Sequence, residues 1–477
     1  MDHDTTQPNE LKAFLPPNKE TKDEGNLLKS SINVSVIQVG QKIVPDDIEK
    51  STLYDPFRNR NVSSGTTDGE TLIHLLKACL GSGILAMPYA FHHGGSVFSV
   101  LATIIVGIIC AHCAYILVRS AHVLYHRLKV PVLTFPQIGE MTFAHGPEKF
   151  KKFAKPSRML VILGIFLTYF GTCCAYTVII ASNLEQVIKH HGIWDSSDKR
   201  WFIIALLFPL ILLNYIQNLK TLALFSLTAN ILMGLTLIIT LVHVFIGSQL
   251  YNPFTDLPLI DDWSRLPKFF SITIFAMECI GVIMPLENKM RKPTHFLGNF
   301  GIMNIGMTIV TITYLLLGLF GYMKYGNHTK ELITLNLNID RIESQLAKVF
   351  IAVAVFFTYG LQFYVCFDIV WNGIKDKIPK NYTLINYIVR TILVLLTVIV
   401  AVAVPEISPL LTIVGALFFS FLGLLFPAII DLIIYWDEGF GTYYFRLIKN
   451  TFIILFGILA MIFGTWSGIE DAIKTQN

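Results

Sequence analysis

Eleven apolar windows, at about residues 71–94, 96–119, 158–184, 201–218, 220–248, 268–288, 298–325, 346–372, 384–405, 407–436 and 445–469, leave this 477-residue chain few folds to choose from. Roughly 20 apolar residues is the length of a helix that crosses a bilayer, where every backbone N–H and C=O must find its partner inside the segment. The pattern predicts an all-α polytopic membrane protein with eleven transmembrane helices, spans 1 to 11. Composition excludes the alternatives. Charged residues make up 15% of the chain, where soluble domains carry about 25%. A net charge of +4, from 37 basic and 33 acidic residues, is too small and too dispersed for a nucleic-acid face.

Residues 1–66 are polar and predict a disordered cytosolic tail, ahead of a transmembrane domain over 67–477. Within the tail, Asp23-Glu24-Gly25-Asn26-Leu27-Leu28 fits an acidic dileucine signal. That makes sorting adaptors candidate partners at Leu27 and Leu28, and a lysosomal or late endosomal membrane the alternative to the plasma membrane. Basic residues crowd the connections after spans 2, 6 and 8, among them Arg127, Lys151, Arg291, Lys292 and Lys377. By the positive-inside rule these loops and the N-terminus are cytoplasmic. Of four sequons, those at Asn33, Asn61 and Asn381 then lie inside, and Asn327-His328-Thr329 alone reaches the outer side as a glycosylation site. The seven cysteines all fall in apolar segments and imply neither a disulfide framework nor a metal site; Cys110-x-x-Cys113 has no second pair.

Two spans are interrupted alike. Span 1 contains Cys79-Leu80-Gly81-Ser82-Gly83 and then Pro88; span 6 contains Glu278-Cys279-Ile280-Gly281 and then Pro285. Glycine favours an unwound turn and proline removes a helical donor, so each span is expected to split into half-helices. Breaks five spans apart fit two inverted five-span repeats with a substrate between them near the midplane. Freed amides at Gly81, Ser82 and Gly83 would hold a carboxylate, and freed carbonyls around Cys279, Ile280 and Gly281 an ammonium. Together they describe a receptor for a zwitterion. Ionisable residues inside spans are costly and mark function. Glu278 beside the break and His74 two turns before Gly81 are the proton-coupling candidates, with His112, His243 and Asp368 weaker ones. No H-E-x-x-H, G-x-S-x-G or Walker pattern occurs, so neither an enzyme nor a nucleotide-driven pump is expected.

The runs Thr71-Leu-Ile-His-Leu-Leu-Lys77, Gly81-Ser-Gly83 with Met87-Pro88, Ile274-Phe-Ala-Met-Glu-Cys-Ile-Gly281, Pro285-Leu-Glu-Asn-Lys-Met290 and Phe356-Phe-Thr-Tyr-Gly-Leu-Gln-Phe-Tyr364 resemble the proton-coupled amino acid transporters, solute carrier family 36 of the amino acid/auxin permease superfamily. The resemblance runs from about residue 70 to 470. It implies the ten-helix leucine-transporter-like inverted repeat plus one helix, and symport of small neutral amino acids with H+ as coupling ion and no other cofactor. The family histidine associated with proton coupling matches His74. Two departures stand out: Cys79 replaces the family's pocket asparagine, and the outer-loop cysteine pair of vertebrate members is absent. Two other readings stay open at this point, a sodium-coupled transporter and an amino-acid sensor that signals through its tail.

Overall fold

The computed structural model describes residues 54–60, 65–194, 198–217, 219–246, 250–277, 279–298, 300–377 and 382–474. Glu278, Leu27, Leu28 and the sequons at Asn33, Asn61 and Asn381 lie outside them. Among the described residues, nine helices are long and apolar enough to cross a membrane, and a bent pair, Asp68–Cys79 with Ser82–Gly94, makes a tenth. Ten of the eleven expected spans are thereby accounted for. Span 4 differs, because Lys199–Ala205 and Leu207–Asn214 meet at a break at Leu206, and each piece is too short to cross alone. Pro209 explains the shortness: it denies the second piece an N–H that would continue the first.

Helix packing repeats with an offset of five. Span 1 packs on span 6, 2 on 7, 3 on 8 and 4 on 9; the contacts of span 7 with span 1 and span 8 with span 5 are matched by those of 2 with 6 and 3 with 10. Five is odd, so equivalent helices cross in opposite senses, and the axis relating the halves lies in the membrane plane. Short helices in the corresponding connections, Phe135–Ala144 between spans 2 and 3 and Ile333–Asn336 between spans 7 and 8, therefore lie at opposite ends. Span 11, Phe445–Lys474, packs on spans 6 and 10. Span 10 changes pitch: it is α-helical over Ile407–Ile413, π-helical over Val414–Leu425 and α-helical again over Phe426–Ile434.

Both ends of the bundle are tied by charge. At the end where the chain enters span 1, Glu287 is fully buried and accepts from Arg60 Nη2 at 2.9 Å and from His122 Nε2 at 2.8 Å. The Glu287 main-chain carbonyl accepts from Arg60 Nη1 at 3.1 Å, and Pro131 O from Arg60 Nε at 2.8 Å. Thr66 N donates to Lys289 O and Arg291 N to Thr66 O, so the stretch before span 1 is stitched to the end of span 6. At the opposite end, the Glu331 carboxylate accepts from Ile407 N at 3.1 Å and Ser408 N at 2.8 Å, capping the start of span 10.

Candidate functional site

Span 1 is built to break. Thr67 and Glu70 form a capping box that starts its first half-helix, Asp68–Cys79, satisfying two orphan donors reciprocally. Leu80 and Gly81 interrupt it, a 3₁₀ turn runs over Ser82–Ala86, and Pro88 opens the α-helical part, Met87–Gly94; the stretch Ser82–Gly94 is bent 44° from the first half-helix. Span 6 parallels this with Leu266–Met277 and Ile280–Lys289 on either side of Cys279. Only glycine allows the two breaks to meet: a Cβ on Gly83 would lie 2.8 Å from Ala276 Cα.

A cavity of about 90 Å³ opens at this junction. All seven residues expected to hold substrate, Cys79, Gly81, Ser82, Gly83, Cys279, Ile280 and Gly281, line it. Gly81 N donates to Cys79 O at 2.8 Å. The amides heading the 3₁₀ turn are then those of Ser82 and Gly83, whose position leaves them without intrahelical acceptors. Sequence reasoning overlooked the opposite wall. Span 3 contributes Thr168, Tyr169, Thr172 and Tyr176, span 8 Gln362, and the π-helical stretch of span 10 Phe419 and Leu422. Tyr176, Ser82 and Gln362 line the same cavity, so spans 1, 3 and 8 all contribute to its wall. Thr168, Thr172 and Tyr176 recur every four positions and so share one face of the helix, a spacing that the sequence does carry. No lining side chain among the described residues is charged.

Behind the cavity Tyr314 of span 7 is fully buried. Its hydroxyl donates to Cys79 O and lies 2.9 Å from Ala276 O, so one phenol joins the last turns of both first half-helices. His74 is exposed on the first half-helix of span 1 and does not line the cavity. His243 is occupied elsewhere, with Nδ1 2.9 Å from Ile239 O and Nε2 3.3 Å from Ser344 Oγ. The seven cysteines are buried and none is in a disulfide among the described residues. Asn327 is exposed in a short turn between spans 7 and 8.

A helical membrane bundle that folds two broken spans around a small central pocket has the architecture in which transporters bind their substrates. The chain belongs to the transmembrane amino acid transporter protein family, whose model matches residues 64–470. It is 46% identical to the Proton-coupled amino acid transporter-like protein pathetic of Drosophila melanogaster, over 98% of this chain and 96% of that one. It is 23% identical to the "Probable amino acid transporter skat-1" of Caenorhabditis elegans, over 89% of this chain and 94% of that one. Among solved structures it is similar to Mhp1, a nucleobase-cation-symport-1 family transporter with bromovinylhydantoin bound, at a TM-score of 0.48 and 12% identity over 89% of this chain and 95% of that one. A Na+-coupled sialic acid symporter aligns at a TM-score of 0.45 and 11% identity over 87% of this chain and 93% of that one.

Proposed function

We propose that this chain carries small neutral amino acids through its membrane together with protons, by alternating access around the paired breaks. One observation carries the reading: the cavity lies between unwound backbone, has no charged side chain in its described lining, and at about 90 Å³ is well below the roughly 300–1,000 Å³ of sites that hold drug-sized ligands. A substrate carboxylate meets the amides of Ser82 and Gly83 at a positive helix end. Its ammonium faces the carbonyl oxygens around Cys279, Ile280 and Gly281, and its side chain faces Phe419 and Leu422. The coupling ion is H+, carried by Glu278 beside the span 6 break and by His74 on the half-helix that ends at Cys79. A relative named as proton-coupled, at 46% identity, supports this choice. The N-terminus is cytoplasmic, the address is the plasma membrane or the lysosomal and late endosomal membrane, and Asn327 carries a glycan on the outer side.

Uptake of labelled amino acids into proteoliposomes, with proton and sodium gradients imposed separately, tests the reading. Inward protons alone should drive accumulation of glycine-sized and alanine-sized substrates, and Glu278→Gln or His74→Ala should abolish it without loss of the folded protein. Full pH-driven uptake in both variants removes these residues from the mechanism. For the orientation, Asn327→Gln should remove an endoglycosidase-sensitive mass shift; an unchanged shift places the glycan elsewhere.

A further inference from the structure

We infer that the Tyr314 hydroxyl stands where a coupling cation would otherwise bind, and thereby makes this transporter independent of sodium. The inference rests on the proton-symport reading above and explains how the fold selects that ion.

The physical starting point is the pair of helix ends. Asp68–Cys79 and Leu266–Met277 both stop at the cavity. The last carbonyls of a helix have no intrahelical partner, and the aligned dipoles leave about half a negative charge there. Two such ends converging in a low-dielectric interior form an electronegative notch, and unwound carbonyls of this kind are where broken-helix transporters generally coordinate their cation. Here the notch is filled from within the chain. Tyr314 is 0% exposed, donates to Cys79 O and lies 2.9 Å from Ala276 O. Cys79 O also accepts from Gly81 N at 2.8 Å, so both its lone pairs are engaged.

Any buried tyrosine hydroxyl tends to find an acceptor. The distinguishing feature is which acceptors these are: a last-turn carbonyl from each of the two half-helices, one in each repeat. The phenolic hydrogen brings fixed positive character to the point where the dipoles converge. A sodium ion would have to displace it to reach the same oxygens. With the notch closed by a permanent donor, the mobile positive charge in the cycle is the proton.

Purified wild type, Tyr314→Phe and Tyr314→Ser test this by thermal unfolding in NaCl against choline chloride at equal ionic strength, and by pH-driven uptake in sodium-free buffer. Wild type should unfold at the same temperature in both salts and take up substrate without sodium. Tyr314→Phe should lose about tenfold in uptake while still reaching the membrane, the scale of losing one buried hydrogen bond. Tyr314→Ser, which vacates the notch, should gain a saturable upward shift in Tm specific to NaCl. Sodium stabilisation of wild type, full uptake by Tyr314→Phe, or no sodium response in Tyr314→Ser would each overturn the inference, and the wild-type comparison requires no variant to fold. Failure of wild-type uptake under a proton gradient would instead remove the symport reading, because the salt dependence of unfolding needs no transport.

Discussion

The two ends of the bundle are closed by different chemistry. At the entry of span 1, Glu287 lies out of water among a guanidinium, an imidazole and the Tyr125 hydroxyl, which is 3.3 Å from its Oε2. At the other end Glu331 is half-buried and accepts from two backbone amides, with Glu406, itself bound to Lys199 at 2.8 Å, and Tyr89 as its charged or titratable neighbours. Burial first, and the Glu406 carboxylate second, push the Glu331 pKa above its usual 4.5. One end is a compensated ion cluster, while the other is an acid whose surroundings disfavour its charge.

The largest effect should come from breaking the ion cluster. Glu287→Ala strands Arg60 and His122 beside each other without a counter-charge, and losing one partner of a buried pair costs about 3–5 kcal/mol. Thermal unfolding should show a large drop, and a thiol reagent applied from the Arg60 side should reach Cys79 faster; an unchanged Tm would mean the cluster closes nothing. A smaller change is expected at the opposite end. Because the Glu331 pKa is raised where it docks on span 10, docking binds the proton more tightly than release does. The stabilisation is full below about 4.5 and is lost as pH rises through the raised value. Glu331→Gln should flatten this part of the stability-versus-pH curve and hold the loop docked at neutral pH, checked by hydrogen exchange at Ile407 and Ser408; a curve parallel to wild type would assign the dependence to another group. Least affected should be Thr67→Ala, which removes the capping box at the span 1 entry for about 1 kcal/mol, read as a small fall in Tm beside the much larger one at Glu287.

The breaks were legible because glycine and proline act locally: Gly81 and Gly83 lie at the span 1 break, Pro88 in the first turn of the half-helix that follows it, and Gly281 in the first turn of the half-helix after the span 6 break, whereas Pro285 is carried inside that helix. Beyond the meeting of spans 1 and 6, what depends on which helices touch was not. Arg60 reads as one more polar residue of a tail, and only the distant Glu287 makes it a buried ion. Tyr314 sits within an apolar span, and its partners are carbonyls, which have no letter in a sequence. Gln362 lay within a recognised motif, yet its place beside Tyr176 follows from the contact between spans 3 and 8. Span 4 was expected as one helix because an apolar window records hydrophobicity and not the break at Leu206.

The π-helical stretch of span 10, Val414–Leu425, holds Phe419 and Leu422 against the pocket between two ordinary α-helical ends. Bonds from i to i+5 wind more chain into each turn than α-helical bonds do. Span 10 thus stores slack, like a cable with a spare loop in its middle. Tightening those turns would rotate the two side chains around the axis and feed the surplus length toward either end, so the wall facing the substrate can be re-aimed while Ser408 stays held by Glu331 and Asp431 by Asn450, whose side-chain amide donates to it at 2.7 Å.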